Sequence, residues 1–337
     1  MSDQQKRGSL SFPKILKDYV LPFLCPSSYP NLGIVLAGAF GLSFLLQMVW
    51  TELPEEKLFF SKTSLIGFSL ITLFRLLALL LVYVLVTEHY KIGAHHTWGR
   101  NPGVGGFFLA FMVGVPAMMI SVGIHNLFIY MELKMENPIP SQLYYYVTEE
   151  GSIYGLILML IMVVVFPVLI EELFFRGLVY AVIPDKWWLR ITIPAVLSTL
   201  FAVNRLELPS LLVIGLLCSC VRYFTDNALC SCLTRFGFFC TKILLSRFIP
   251  DQEPTAVQNA MDYDRMVIYA SVMGVVLGFV MIIVLLRQLR LLRYLQKNED
   301  MRCETEEGKP LAIPLQEHFH IDFVIGVAFL ALCWIMS

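Results

Sequence analysis

Glu171-Glu172-Leu173-Phe174-Phe175-Arg176-Gly177 sets two adjacent carboxylates and a guanidinium inside an otherwise apolar run over 153–183. An ionisable group at membrane depth costs about 2.5–3.5 kcal/mol even on the lower scales, so it is read as a functional site by default. The bland alternative is a helix end whose charged side chains snorkel to the headgroups. Apolar residues continue past the arginine from Leu178 to Ile183, which speaks against a helix end.

The rest of the chain suits a membrane. Of 337 residues, 57% are hydrophobic and 15% charged, and the mean hydropathy is +0.70. Soluble domains carry about 25% charged residues, so a soluble fold is excluded. A span needs roughly 20 mostly apolar residues. Nine runs approach that length: 31–50, 64–87, 104–130, 152–183, 189–204, 208–223, 228–246, 266–288 and 320–337. The fifth, sixth and ninth are short or interrupted. The expected fold class is all-α, a polytopic transmembrane helix bundle of about 8–9 spans. Residues 1–30 form a basic N-terminal tail, 31–150 the N-terminal spans, 151–242 a core, and 243–337 the C-terminal spans with a charged loop at about 289–319. No long apolar stretch in residues 1–30 resembles a cleaved signal.

Charge alternates between the connecting loops. Lys6, Arg7, Lys14 and Lys17 are followed by acidic Glu52, Glu55 and Glu56, then by Lys91 and Arg100, then by Glu132, Glu136, Glu149 and Glu150. Lys186 and Arg190, beside the interface anchors Trp187 and Trp188, precede the acidic Asp251, Glu253, Asp262 and Asp264. Arg287, Arg290, Arg293 and Lys297 follow. The positive-inside rule then puts the N-terminus in the cytoplasm. The compact loops lean toward a bacterial inner membrane. The basic groups all flank spans, so nothing points to nucleic acid. Five of the eight cysteines (Cys218, Cys220, Cys230, Cys232, Cys240) lie within two spans and read as small buried apolar residues rather than zinc ligands. Gly103, Gly105 and Gly106 at the start of the third run suggest close helix packing there.

The run over 152–183 would make a helix of about 48 Å, longer than a bilayer core, with Pro167 as its expected kink. Glu172 and Arg176 stand i, i+4 on one helical face in the favourable order. Glu171 points about 100° away. One carboxylate is therefore expected to pair within its helix and the other to meet a second helix.

The segment Glu171-Glu172-x-x-x-Arg176-Gly177 resembles the first motif of the CPBP membrane proteins, which include type II CAAX prenyl proteases (Rce1-like) and lysostaphin-resistance-type proteins. The resemblance covers about residues 150–242. It implies a hydrolytic core in which the glutamates and two histidines bind or activate water, with or without a metal. Leu197-Ser198-Thr199-Leu200-Phe201-Ala202-Val203-Asn204-Arg205 is similar to the second motif, with Phe201 matching and Arg205 standing where the family has histidine. Thr225-Asp226-Asn227-Ala228 through Leu233-Thr234 to Arg235 resembles the third. Arg235 falls on the second histidine and Phe239 on the family's Asn or Asp. None of the six histidines (His89, His95, His96, His125, His318, His320) lies between residues 126 and 317.

Arginine stays protonated and serves as neither a base nor an ordinary metal ligand, but it pairs bidentately with carboxylates. If the resemblance holds, Arg205 and Arg235 would project toward Glu171 and Glu172. With Arg176 they give a cluster of formal charge +1 that Asp226 would offset. The bland readings are a turn residue paired with Glu207 for Arg205, and an outward-snorkelling residue for Arg235. The expected function is that of a degenerate CAAX-type protease acting as membrane scaffold, chaperone or regulator. Its expected partners are the lipid bilayer and a membrane-anchored peptide or partner membrane protein, and no cofactor is expected. The alternative is an active endopeptidase that uses Glu171, His125 and zinc or another divalent metal. A transporter finds less support, because the ionisable groups gather in one region only.

Overall fold

The computed structural model describes residues 30–54, 65–134, 160–201, 208–248, 265–300 and 321–335. The regular elements among them are all helices, with one isolated bridge between Gly99 and Asn227. Helices α1 (Leu32–Glu52), α2 (Leu65–His89), α3 (Ala94–Trp98) and α4 (Gly103–Lys134) come first. The segment bearing the paired glutamates, here the motif helix, is composite. It runs through a π-helical stretch (Leu160–Val165), α5 (Phe166–Glu172), a second π-helical stretch (Leu173–Val179) and α6 (Tyr180–Val182). Then follow α7 (Trp187–Phe201), α8 (Leu208–Thr225), α9 (Ala228–Phe248), α10 (Arg265–Asp300) and α11 (Ile321–Ile335).

Among the described residues, five helices are long and apolar enough to cross a membrane: Leu32–Glu52, Leu70–His89, Gly103–Phe128, Leu208–Thr225 and Ile268–Tyr294. Trp187–Phe201 and Phe323–Trp334 are apolar but shorter. Two of the nine expected runs stand apart from these. The motif run is divided between π and α geometry, and Ser231, Thr234, Arg235, Thr241 and Lys242 make α9 more polar.

The motif helix lies between two groups of helices. On one side α1 packs on α2 and α11, and on the other α4 packs on α8, α9 and α10. Phe174, Phe175, Leu178 and Val179 join the first group's core with Leu36, Phe40, Leu79 and Phe201. Val164 and Val168 meet Cys232 on α9. Ala117 and Ile120 of α4, with Ile214, Cys218 and Phe238, fill the other core. The buried cysteines therefore pack as small apolar groups, and the six described ones are free thiols.

Two expectations give way here. Gly103 and Gly105 face open space, so they do not mediate packing. Close approach is instead carried by Gly114 and Gly237. A Cβ on Gly114 would overlap the Thr234 carbonyl, and one on Gly237 would overlap the Phe111 carbonyl, so α4 and α9 touch backbone to backbone. The loop expected from residue 289 begins instead as helix, because α10 continues to Asp300. Residues 279–300 contain no Gly or Pro to stop it, and Leu289 is buried against α4 and α8.

The connecting segments that the charge pattern assigns to one side gather at one end of the bundle. The Arg100 amide donates to the Asp226 carbonyl at 2.9 Å, and the Asn227 amide group donates to the Arg100 carbonyl at 2.6 Å. Arg222 and Arg190 lie over the Tyr180 ring at 4.7 and 5.1 Å. Gly99 has φ of +80°, and a Cβ there would overlap the Asp226 carbonyl, so the docking of this segment requires glycine. Trp187 and Trp188 are exposed near this end, as interface anchors would be.

Candidate functional site

Pro167 has no amide to give, and a π-helical stretch precedes it, so the chain enters the site with a relaxed ladder. The second π-helical stretch starts immediately after Glu172. Widened turns of this kind occur mostly as single-turn insertions and often at functional sites.

The two glutamates and two of the expected arginines form one buried cluster. Glu172 is fully buried, and its Oε1 accepts from Arg176 Nη1 and from Arg235 Nη1, both at 3.1 Å. Arg235 Nη2 lies 2.5 Å from Glu171 Oε2. Arg235, from α9, thus reaches both carboxylates with one guanidinium face, the planar fork that arginine supplies and lysine does not. This revises the expectation of separate partners: Glu172 pairs within its helix and across to α9, and Glu171 shares that same α9 residue. Arg176 Nη2 also donates to the Gly215 carbonyl of α8 at 2.9 Å.

Arg205 lies outside the described residues. Asp226 does not offset the central cluster. It pairs with Arg222 at 3.1 Å at the bundle end. The described cluster is balanced, two carboxylates against two guanidiniums. Phe201 is buried against Phe40 and Phe175, with ring centroids 5.8 Å from each. Phe239 is half-buried, with the Arg235 guanidinium 6.0 Å over its ring. His125 lies on α4, where its neighbour Asn126 donates to Ser271 Oγ of α10 at 3.2 Å.

Two arginines at the site were not singled out from the sequence. Arg75 of α2 donates to the Phe201 carbonyl, stacks over the Phe201 ring at 4.5 Å, and lies within Coulombic range of Glu171. Arg222 of α8 is buried and donates from Nε to the Arg176 carbonyl at 3.0 Å. Each is the lone charged residue of its apolar run, 64–87 and 208–223, so the signal that flagged the paired glutamates would have found both.

Beside the cluster a cavity of about 10 Å³, a volume suited to one water, is lined by Glu172, Arg176, Ser198, Thr199, Gly215 and Arg235, among others. Among the described residues, Glu172 Oε2, Arg176 Nε and Arg235 Nε have no hydrogen-bond partner. Among those residues, too, no three His, Cys, Asp or Glu side chains gather in a metal-ligating group. Gly177 lets α3 approach: a Cβ there would press at 3.3 Å on the Thr97 carbonyl. Thr97 in turn shares a 3.1 Å hydrogen bond with Tyr83 of α2.

Comparison with known proteins bears on this same segment. The family model described as Type II CAAX prenyl endopeptidase Rce1-like matches residues 153–240. No curated protein matches the chain, and no solved structure does. The matched residues include Glu171, Glu172, Arg176 and Arg235, the members of the buried cluster. Its apolar, membrane-length helices make this chain an integral membrane protein, and its residues 153–240 match the Rce1-like family model.

Proposed function

We propose that this chain is a CPBP-family membrane protein in which a guanidinium–carboxylate cluster stands in place of a hydrolytic water site, and that it acts as a membrane scaffold, chaperone or regulator. The observation that carries the reading is Arg235, which falls on a motif histidine in the family resemblance and engages both Glu171 and Glu172. A general base must have a free lone pair at the operating pH and reach the proton it removes. Glu171 Oε2 and Glu172 Oε1 are instead directed at guanidinium N–H groups, so those oxygens are not turned toward a water. The paired guanidiniums also set positive charge where a divalent cation would bind, so the reading needs no metal or other cofactor.

The partner on this reading is a membrane-anchored peptide or a second membrane protein, met within the bilayer. The membrane is a bacterial inner membrane with the N-terminus in the cytoplasm. The alternating loop charges support that orientation, as does the gathering of Arg100, Arg190 and Arg222 at one end of the bundle.

The test uses the purified full chain in liposomes with a prenylated CAAX-type peptide. The expected result is no cleavage, with the wild type indistinguishable from Glu171→Ala, and retention of the peptide by the wild type. Cleavage that disappears in Glu171→Ala and in His125→Ala would establish the active endopeptidase instead.

A further inference from the structure

We propose that Arg222 is a positioning residue that holds the widened turn of the motif helix open, and thereby sets where Arg176 stands in the cluster. The proposal rests on the reading of Glu171, Glu172, Arg176 and Arg235 as the functional cluster, and extends it to how that cluster is held and controlled.

The backbone ladder carries the argument. In an α-helix the Tyr180 amide would donate to the carbonyl four residues back, that of Arg176. It reaches the carbonyls of Phe175 and Gly177 instead, skipping Arg176. The skipped carbonyl accepts from Arg222 Nε at 3.0 Å, across from α8. A side chain inserted into the ladder is one of the few physical causes of a helix irregularity. Closing the turn to α geometry would rotate everything beyond it by about 100° relative to Glu172. Arg176 sits at this junction, with Nη1 on Glu172 and Nη2 on the Gly215 carbonyl.

Arg222 is itself fully committed. Its Nη1 pairs with Asp226 at 3.1 Å, its Nη2 reaches the His96 carbonyl at 3.5 Å, and its plane lies over Tyr180 at 4.7 Å. A lysine ammonium carries its three donors on one nitrogen, so it does not span acceptors that Arg222 reaches with Nε, Nη1 and Nη2 of a planar fork. Asp226 is the accessible end of this chain of contacts: its side chain is 44% exposed, and its backbone is left-handed, with φ of +50°. A carboxylate at the surface of the bundle is therefore linked through one guanidinium to the backbone of the buried cluster.

The test is a pair of double-mutant cycles on the full chain in detergent, read as thermal midpoints, together with amide hydrogen exchange over 173–182. Because Arg222 acts through Arg176, the midpoint losses of Arg222→Met and Arg176→Met are expected to be non-additive, the double variant melting little below Arg222→Met alone. Exchange over 177–182 is expected to rise while exchange in α10 stays unchanged. If Arg222→Met does not fold, Asp226→Asn replaces it in the cycle, with a smaller shift of the same sign. Strict additivity, or unchanged exchange over 177–182 in either variant, would overturn the proposal. The peptide-cleavage result has no bearing on these readouts, so the two readings fail separately.

Discussion

Helix α10 and the motif helix are both rich in apolar residues, and they place their side chains in opposite ways. Along α10, Val276, Phe279, Val280, Ile283 and Val284 face outward, and between Arg265 and Arg287 the helix carries no charged residue. Along the motif helix, Phe174, Phe175, Leu178 and Val179 are fully buried, and the charges of Glu172 and Arg176 are buried with them. The difference reflects a hydrocarbon surround. Lipid offers an apolar side chain nearly what the protein interior offers, so exposure on α10 costs little. A charge has no counterpart in lipid, so it is held inside and paired. Burial in this protein therefore marks polarity and function at least as much as hydrophobicity.

That comparison can be broken first at Arg235. Arg235→Ala would strand Glu171 and Glu172 without their shared partner. Removing one member of a buried pair costs about 3–5 kcal/mol. The expected outcome is a large fall in thermal midpoint and in the yield of monodisperse protein from detergent. Adding Glu171→Gln to the variant is expected to recover much of the loss, since Glu172 keeps Arg176 and the penalty comes from the one uncompensated charge. If Arg235→Ala alone melts like the wild type, the cluster is not holding this region.

A second substitution probes packing without charge. Gly237→Ala forces α9 away from the Phe111 carbonyl of α4. Overpacking of this kind costs about 1–3 kcal/mol, and the expected midpoint lies between those of the wild type and Arg235→Ala. The smallest effect belongs to the lipid face. Ile283 is 62% exposed, and Ile283→Ala is expected to stay within about 0.5 kcal/mol of the wild type in denaturant or thermal titration. A loss as large as that of Gly237→Ala would mean that α10 docks against a partner there instead of lipid.

Much of this was legible from the residues. The apolar runs announced an all-helical membrane protein, because backbone polar groups in lipid can be satisfied only within helices or closed barrels. The pairing of Glu172 with Arg176 was legible as well, since i, i+4 neighbours meet on any helix. Arg75 and Arg222 were readable in principle, each a single charge in an apolar run, but a lone charge does not say what it faces. The long-range partners were less accessible. Asp226 looked available to the central cluster and is instead held by Arg222, four residues before it. The glycines that matter, Gly114 and Gly237, look no different in sequence from Gly103 and Gly105, which face open space.

The sequence by itself determined the solvent and the chemistry: hydrocarbon outside, and carboxylates and guanidiniums within a stretch that has no histidine between residues 126 and 317. Tertiary structure alone decided that one guanidinium from α9 meets both carboxylates, and that the helix widens at Arg176 to accept a bond from α8. The physical reason is one of range. Hydropathy and i, i+4 spacing are local properties written along the chain. A shared guanidinium between Glu171 and Glu172, or a carbonyl captured by Arg222, depends on how two helices cross.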